Sequence, residues 1–271
     1  MVHHWEEPFI SGSRGSGAVF FTGCSLGCCF CQNHPISRGH NGDRLTPGQL
    51  LFCIERLLQT GVHNLNFVTP GHYADRLPAL LAALRQTDTW KSRPVPVIWN
   101  SSAYETAESL RPLDGVVAIY LPDMKFIDNT LAGALAAAPD YAATALAAIR
   151  EMLRQQPEAV FDSAGILQRG VVIRHLVLPG HWRDSCRVLT ELASFVPPDT
   201  PLSIMSQYTA QASGACAENP ELNRRLTAWE YSQVLDCALT LGFTRMQGQE
   251  RSSADPAYTP DFNERLRPGR T

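Results

Sequence analysis

Four of the chain's eight cysteines fall in one short stretch, "GCSLGCCFCQN" (23–33), as Cys24, Cys28, Cys29 and Cys31. Thiolates this close together bind soft metals or do redox chemistry. Cys24, Cys28 and Cys31 stand at C-x3-C-x2-C spacing, and the small residues Gly23, Ser25 and Gly27 let the backbone curl so that three thiolates can serve one inorganic group. A structural zinc site closes with four ligands, and a self-contained zinc module carries a second cysteine or histidine pair at a set distance. No such pair follows. Cys29 or His34 could supply a fourth ligand, which keeps zinc open, although Cys29 lies between two better-spaced thiols and reads as a small buried side chain. The other arrangement is an iron–sulfur cube held by three cysteines, in which one iron has no protein ligand and can bind a substrate or cofactor.

The elements that must position this loop are strands and helices in alternation. "AVFFT" (18–22) is the first strand, directly before the cysteines. "TPGQLLFCIERLLQTG" then opens a helix, with Thr46 and Gln49 as a capping box, Pro47 in the first turn and Gly61 as the stop. The pattern repeats: strands at 63–68, 95–99 and 116–121, with helices near 76–86 and 104–111 between them. A longer interruption, 127–170, contains a helix at 139–156 and reads as an elaborated crossover before the strand "VVIRHLVL" (171–178). A helix at 184–196, a strand at 201–206, a helix from Thr227 capped through Glu230, and a short strand at 243–247 complete the series. This is an α/β chain, expected to form a partial parallel (β/α) barrel of about six units. The expected organisation is an N-terminal segment 1–17 near the barrel mouth, a core over 18–250, and an irregular tail over 251–271.

The net charge of -3 and the absence of a long basic or acidic block give no reason to expect nucleic acid or an anionic membrane as partner. The N-terminus lacks a basic segment followed by an apolar core, and no run approaches a membrane span, so the cytoplasm is the expected compartment. Thiols are kept reduced there, which favours metal or redox use over a disulfide framework; Cys53, Cys186, Cys216 and Cys237 are scattered.

"CSLGCCFC", with aromatic Phe30 before the last cysteine and a strand before the first, resembles the signature of the radical S-adenosylmethionine (SAM) superfamily. The segments "VHHWEEPFISGSRGSGAVFFTGC", "NFVTPGHY", "IYLPDMKF" and "IRHLVLPG" resemble the branch related to pyruvate formate-lyase activating enzymes, over roughly residues 2–250. The resemblance implies a 4Fe-4S cluster on Cys24, Cys28 and Cys31 and SAM chelated at the open iron. It also implies reductive cleavage of SAM to a carbon radical that removes a hydrogen atom from the substrate. It further implies a reductant such as flavodoxin or ferredoxin, and a substrate that is either a protein, as in glycyl radical activation, or a small molecule.

Strand ends at the barrel mouth supply the remaining candidates. "VTPGH" stands where the superfamily often has Gly-Gly-Glu, so Thr69 offers backbone contacts and one hydroxyl. Asn100 and Ser101 end a strand, where they reach a ligand or form an Asx turn into the next helix. Asp123 and Lys125 are charges at the end of an apolar strand and need a partner or a purpose. The resembling "DLK" element of the activating enzymes places its lysine in the SAM site, which implicates Lys125. Arg174 sits in an apolar strand and must be paired; the resemblance suggests a SAM or substrate carboxylate, and an ion pair with Asp123 is the alternative. His175 falls on the opposite face and reads as packing. By resemblance, Phe30 and Asn33 flank the adenine side, though Asn33 can equally cap the loop. The group His3, His4, Trp5, Glu6 and Glu7 reads either as a solvated terminal segment or, by resemblance, as part of the site's surroundings. His181 and the segment 207–216 are candidates for substrate contact.

Overall fold

The computed structural model describes residues 1–39, 41–209 and 218–248. Its strands are β1 (Val2–His3), β2 (Ser16–Phe20), β3 (Leu65–Val68), β4 (Val97–Ser101), β5 (Ile119–Pro122), β6 (Val160–Phe161), β7 (Leu167–Val171), β8 (Ile173–Leu176), β9 (Leu202–Met205) and β10 (Met246–Gly248). The helices are α1 (Pro8–Ser11), α2 (His34–Ser37), α3 (Pro47–Gln59), α4 (Leu77–Leu84), α5 (Asp88–Ser92), α6 (Ala107–Leu110), α7 (Asn129–Ala136), α8 (Tyr141–Gln155), α9 (Trp182–Ala193) and α10 (Ala228–Thr240).

Strands β2, β3, β4, β5 and β7 pair in parallel in that order, as do β8, β9 and β10. Only Val172 separates β7 from β8. Its N–H donates to the Tyr120 carbonyl (2.9 Å), and Met124 N–H donates to the Arg174 carbonyl (2.8 Å). β5 therefore runs beside both halves, and the wall is a partial parallel barrel. β1 lies antiparallel on β2, and β6 antiparallel on β7.

Strand alternation sorts the side chains into two layers. Outward positions, among them Phe67, Trp99, Tyr120, Ile173, Leu202 and Ile204, join the main core beneath the helices. Inward positions Ile98, Ile119, Leu121, Leu167 and Val172 form a second apolar cluster, closed by Ile10 of α1. Both strand faces are thus covered, which is why these strands read as nearly continuous apolar runs. The helix caps form as the sequence expects: Gln49 N–H donates to Thr46 Oγ1 (3.3 Å) while Gln49 Oε1 accepts from Thr46 N–H (2.9 Å), and Thr227 and Glu230 repeat the pair. Gly61 (φ +87) and Gly242 (φ +86) take the left-handed conformation just beyond α3 and α10.

Several boundaries differ from expectation, and in three of them strand pairing gives the reason. β2 begins at Ser16, inside the segment assigned to the N-terminus, because β1 pairs with it there (His3 with Ser16). β7 begins at Leu167, inside the expected crossover, since β6 folds back on it. The closing strand lies later, at Met246–Gly248, where it pairs with β9. The tail 251–271 lies outside the described residues. Cys186 and Cys237, distant in sequence, are joined as a disulfide between α9 and α10 with their Cα atoms 5.9 Å apart, which the expectation of reduced, scattered thiols did not foresee. Among the described residues no single helix is long and apolar enough to cross a membrane.

Because Ile10 is fully buried as the plug of the inner cluster, Ile10→Ala is expected to cost about 2–5 kcal/mol in urea unfolding. A loss below about 0.5 kcal/mol, the size of an ordinary surface substitution, would show that α1 does not seal the barrel.

Candidate functional site

Above the apolar floor, the inward positions turn polar and enclose a cavity of 540 Å³. Its wall includes Cys24, Cys28, Phe30, Cys31 and Asn33 from the loop after β2, and Thr69, Asn100, Lys125 and Arg174 from the strand ends. Every residue singled out from the sequence for catalysis or cofactor binding thus faces one space.

The cysteine loop is held by backbone bonds rather than by regular structure. Gly27 and Cys29 N–H groups donate to the carbonyls of Ala136 (2.7 Å) and Leu135 (2.9 Å), which end α7, and Gly23 N–H donates to Ile36 (3.0 Å). A Cβ on Gly27 would collide with Arg38 Nη2 and lie 3.0 Å from the Ala137 Cβ, so a larger residue there would displace the arginine and crowd the helix end. Leu26 N–H donates to Cys24 Sγ (3.4 Å), and Cys31 Sγ lies 3.3 Å from Ser37 Oγ. Burial pushes the Cys24 thiol up and the Cys28 thiol to about 12, against the pull of the Lys125 ammonium on both. Binding iron would displace these protons.

Cys29 packs against the main core and does not line the cavity, and His34 is exposed at the start of α2. Among the described residues no three His, Cys, Asp or Glu side chains gather where a single metal ion could sit. That disfavours a closed zinc site. A cube is ligated iron by iron, so three thiols spread along one cavity wall fit it.

Lys125 Nζ donates to Asp123 (2.6 Å). Burial opposes its charge, but Asp123 and then the neighbouring Cys28 more than offset this and hold its pKa above that of an ordinary lysine. Tyr141, at the start of α8, fixes this strand end: its hydroxyl accepts from Lys125 N–H (3.0 Å) and donates to the Asp123 carbonyl (2.6 Å), with the Ser102 carbonyl 2.9 Å away. Thr69 takes φ +58, a strained conformation for a β-branched residue, and its N–H donates to the Asn100 carbonyl (2.8 Å). The turn considered for Asn100 is made by Ser101, whose Oγ accepts from Ala103 N–H (3.2 Å) and donates to Glu105 (2.8 Å). Phe30 is buried edge-on to Phe126, with ring centres 6.1 Å apart. Asn33 precedes α2 without a side-chain capping bond, which leaves its amide in the cavity wall.

Arg174 does not form the ion pair with Asp123 that was the alternative for it. Its Nε donates to Glu7 (2.9 Å) and its Nη2 to both Glu7 (2.5 Å) and Glu6. Asp123 takes Lys125 instead, and Asp123 and Arg174 themselves are bridged through backbone. Burial would raise the Glu7 pKa, but the charge and hydrogen bonds of Arg174 prevail and hold it below the usual carboxylate range. Glu6 also accepts from Asn66 Nδ2 (2.9 Å). The segment 3–7 is therefore no solvated tail; it lines the cavity. His175 points outward and is buried; its Nδ1–H donates to the Met124 carbonyl (2.7 Å), and burial pushes its pKa down to about 4. His181 immediately precedes α9, 4.0 Å from Glu221 and outside the cavity wall. Gln207 does line the cavity, whereas 210–217, with Cys216, lie outside the described residues.

Sequence reasoning missed Tyr141 as a brace and Glu6 with Glu7 as the partners of Arg174. The second had a signal: a guanidinium in an apolar strand requires carboxylates, and "EE" at 6–7 is an adjacent pair.

The chain resembles several solved structures. Streptococcus suis SuiB bound to S-adenosylmethionine superposes with a TM-score of 0.56 at 10% identity, covering 86% of this chain and 50% of SuiB. HydG, a maturase of the [FeFe]-hydrogenase, gives 0.55 at 13% identity over 93% of this chain and 56% of its own. Methylornithine synthase, PylB, gives 0.54 at 15% identity over 85% and 63%. The fold is of the radical SAM type. An uncharacterized protein of Methanocaldococcus jannaschii is 30% identical over 244 residues, 88% of this chain. The chain spans 65% of that relative's length. No family model matches the sequence.

Two outcomes follow from the geometry. Arg174→Met leaves buried carboxylates uncompensated and is expected to destabilise the fold by about 3–5 kcal/mol at neutral pH. In the wild type, the Glu7 contribution is present above its unfolded pKa and is lost as the pH falls through the lower folded one. In the variant, burial acts on Glu7 without its cation, so the sign reverses: urea unfolding should show the variant gaining stability from about pH 7 to about pH 5, where the wild type does not. Tyr141→Phe removes the hydroxyl bracing Lys125 and Asp123 and should cost about 1–3 kcal/mol in the same assay. A neutral result would mean that the strand end is held by other contacts.

Proposed function

We propose that the chain is a radical SAM enzyme that abstracts a hydrogen atom from carbon. The observation that carries this reading is the convergence of Cys24, Cys28 and Cys31 with Lys125, Asn100 and Thr69 on one cavity at the mouth of a barrel of radical SAM type. The three cysteines would hold a 4Fe-4S cluster, and SAM would complete the open iron. When bound, the two supply reductive cleavage of the sulfonium and hydrogen abstraction from carbon.

The chain's own residues have defined tasks in this reading. Lys125, kept charged by Asp123, faces the thiolate side of the cavity and balances its negative charge. Phe30 gives an apolar wall suited to a base, and Asn33 and Asn100 offer amides for ribose or carboxylate. The strained turn at Thr69 stands where the superfamily often has Gly-Gly-Glu and presents backbone and one hydroxyl. The N-terminal segment closes the cavity from below and excludes water from the reacting centre. A one-electron donor of the flavodoxin or ferredoxin class would reduce the cluster. The motif resemblance to glycyl radical activating enzymes supports a reaction of that type on a protein segment.

The test is anaerobic reconstitution with iron and sulfide, dithionite reduction with SAM, and chromatography for 5′-deoxyadenosine. The wild type is expected to form it, and Cys28→Ala to abolish it while leaving far-UV circular dichroism unchanged. A stable cluster that yields none would sink the enzymatic reading.

A further inference from the structure

The charged side chains of the cavity wall divide into two centres. One is Lys125 with Asp123 beside Cys28, a balanced pair. The other is Arg174 with Glu6 and Glu7, two carboxylates on one guanidinium. Lys125 acts on the Cys24 and Cys28 thiols, whereas Arg174 feels Asp123 besides its own two carboxylates, and His3, Asn66 and Ser203 adjoin the second centre. Burial lowers the His3 pKa, so His3 does not supply the missing positive charge at neutral pH.

Two buried polar atoms beside this centre are unsatisfied. Asn66 is fully buried; its Nδ2 is spent on Glu6, and its Oδ1 accepts nothing. Ser203 is 1% exposed and lines the cavity; its Oγ lies near enough to Glu7 to favour the ionised carboxylate, yet completes no hydrogen bond. An excess carboxylate with an idle acceptor beside it calls for a ligand that donates hydrogen bonds and carries positive charge.

We propose that Glu6, backed by Glu7 and Arg174, is the substrate-recognition centre of the cavity, and that the substrate carries a cationic nitrogen group, an alkylammonium, which Glu6 receives. Arg174 sets the position of Glu6, and Asn66 holds its other oxygen. The proposal rests on the functional reading above and narrows its substrate class. The ammonium can belong to a free amine or to a lysine side chain of a protein, and both present the same chemistry to Glu6.

Ligand-observed NMR titrations of the reconstituted, SAM-loaded protein with n-butylammonium, 1-butanol and butyrate provide the test, with acetyl-Gly-Lys-Gly-amide as the peptide form of the same group. The wild type should bind n-butylammonium, the lysine peptide or both in preference to butanol and butyrate. Glu6→Gln, which keeps an acceptor for Arg174, should weaken that binding about tenfold or more. The better probe of the two tells whether the amine is free or part of a protein. Equal binding of the cation and butyrate by the wild type overturns the proposal without recourse to any variant. So does cation binding unchanged in a folded Glu6→Gln, or a loss of SAM affinity in that variant with cation binding intact, which would assign Glu6 to the cofactor. If 5′-deoxyadenosine never forms while the Glu6-dependent preference for the cation persists, the functional reading has failed and the recognition centre stands.

Discussion

A guanidinium inside a barrel is the constraint on which this architecture turns. Arg174 points inward from β8 and is buried, and the nearest strands offer no spare carboxylate, since Asp123 is bound to Lys125. Its charge is therefore met from outside the barrel wall, by Glu6 and Glu7. Drawing those carboxylates in drags the whole N-terminal segment after them: β1 joins the edge of β2, α1 plugs the apolar floor with Ile10, and residues 3–8 become the lining of the cavity. Without this pair of anions the barrel interior would be neither closed below nor electrically tolerable.

The cysteine loop depends on a second long-range device. Its N–H groups at Gly27 and Cys29 are satisfied by the terminal carbonyls of α7, in the crossover between β5 and β7. Helix ends leave such carbonyls without partners, and a loop without secondary structure needs acceptors, so each satisfies the other. Asp184 on α9 extends the same arrangement by accepting from the N–H groups of Ile127 and Asp128, which fixes the start of α7. The crossover is thus the scaffold for the cysteines rather than an ornament on the barrel.

Much of this was legible in the sequence because it is local. The capping boxes at Thr46 and Thr227 need only residues three apart, strand alternation follows from the pleat, and C-x3-C-x2-C announces its own chemistry. The same alternation places Arg174 inward and His175 outward. What escaped was long-range: the choice of Glu6 and Glu7 over Asp123 as partners for Arg174, the reach of the Tyr141 hydroxyl to three backbone groups just beyond the ends of β4 and β5, and the meeting of Cys186 with Cys237. Boundaries slipped where an edge strand had to pair, at Ser16 and Leu167, because neighbours rather than propensity decide where such strands begin.

The separation of 168 residues between Glu6 and Arg174 has a consequence for biosynthesis. The cysteines leave the ribosome early, long before the strand that anchors the cavity floor, and a contact this distant in sequence can form only late. Closure of the floor by the two glutamates is therefore a late event, and the thiol loop is synthesised well before the cavity beneath it can be sealed.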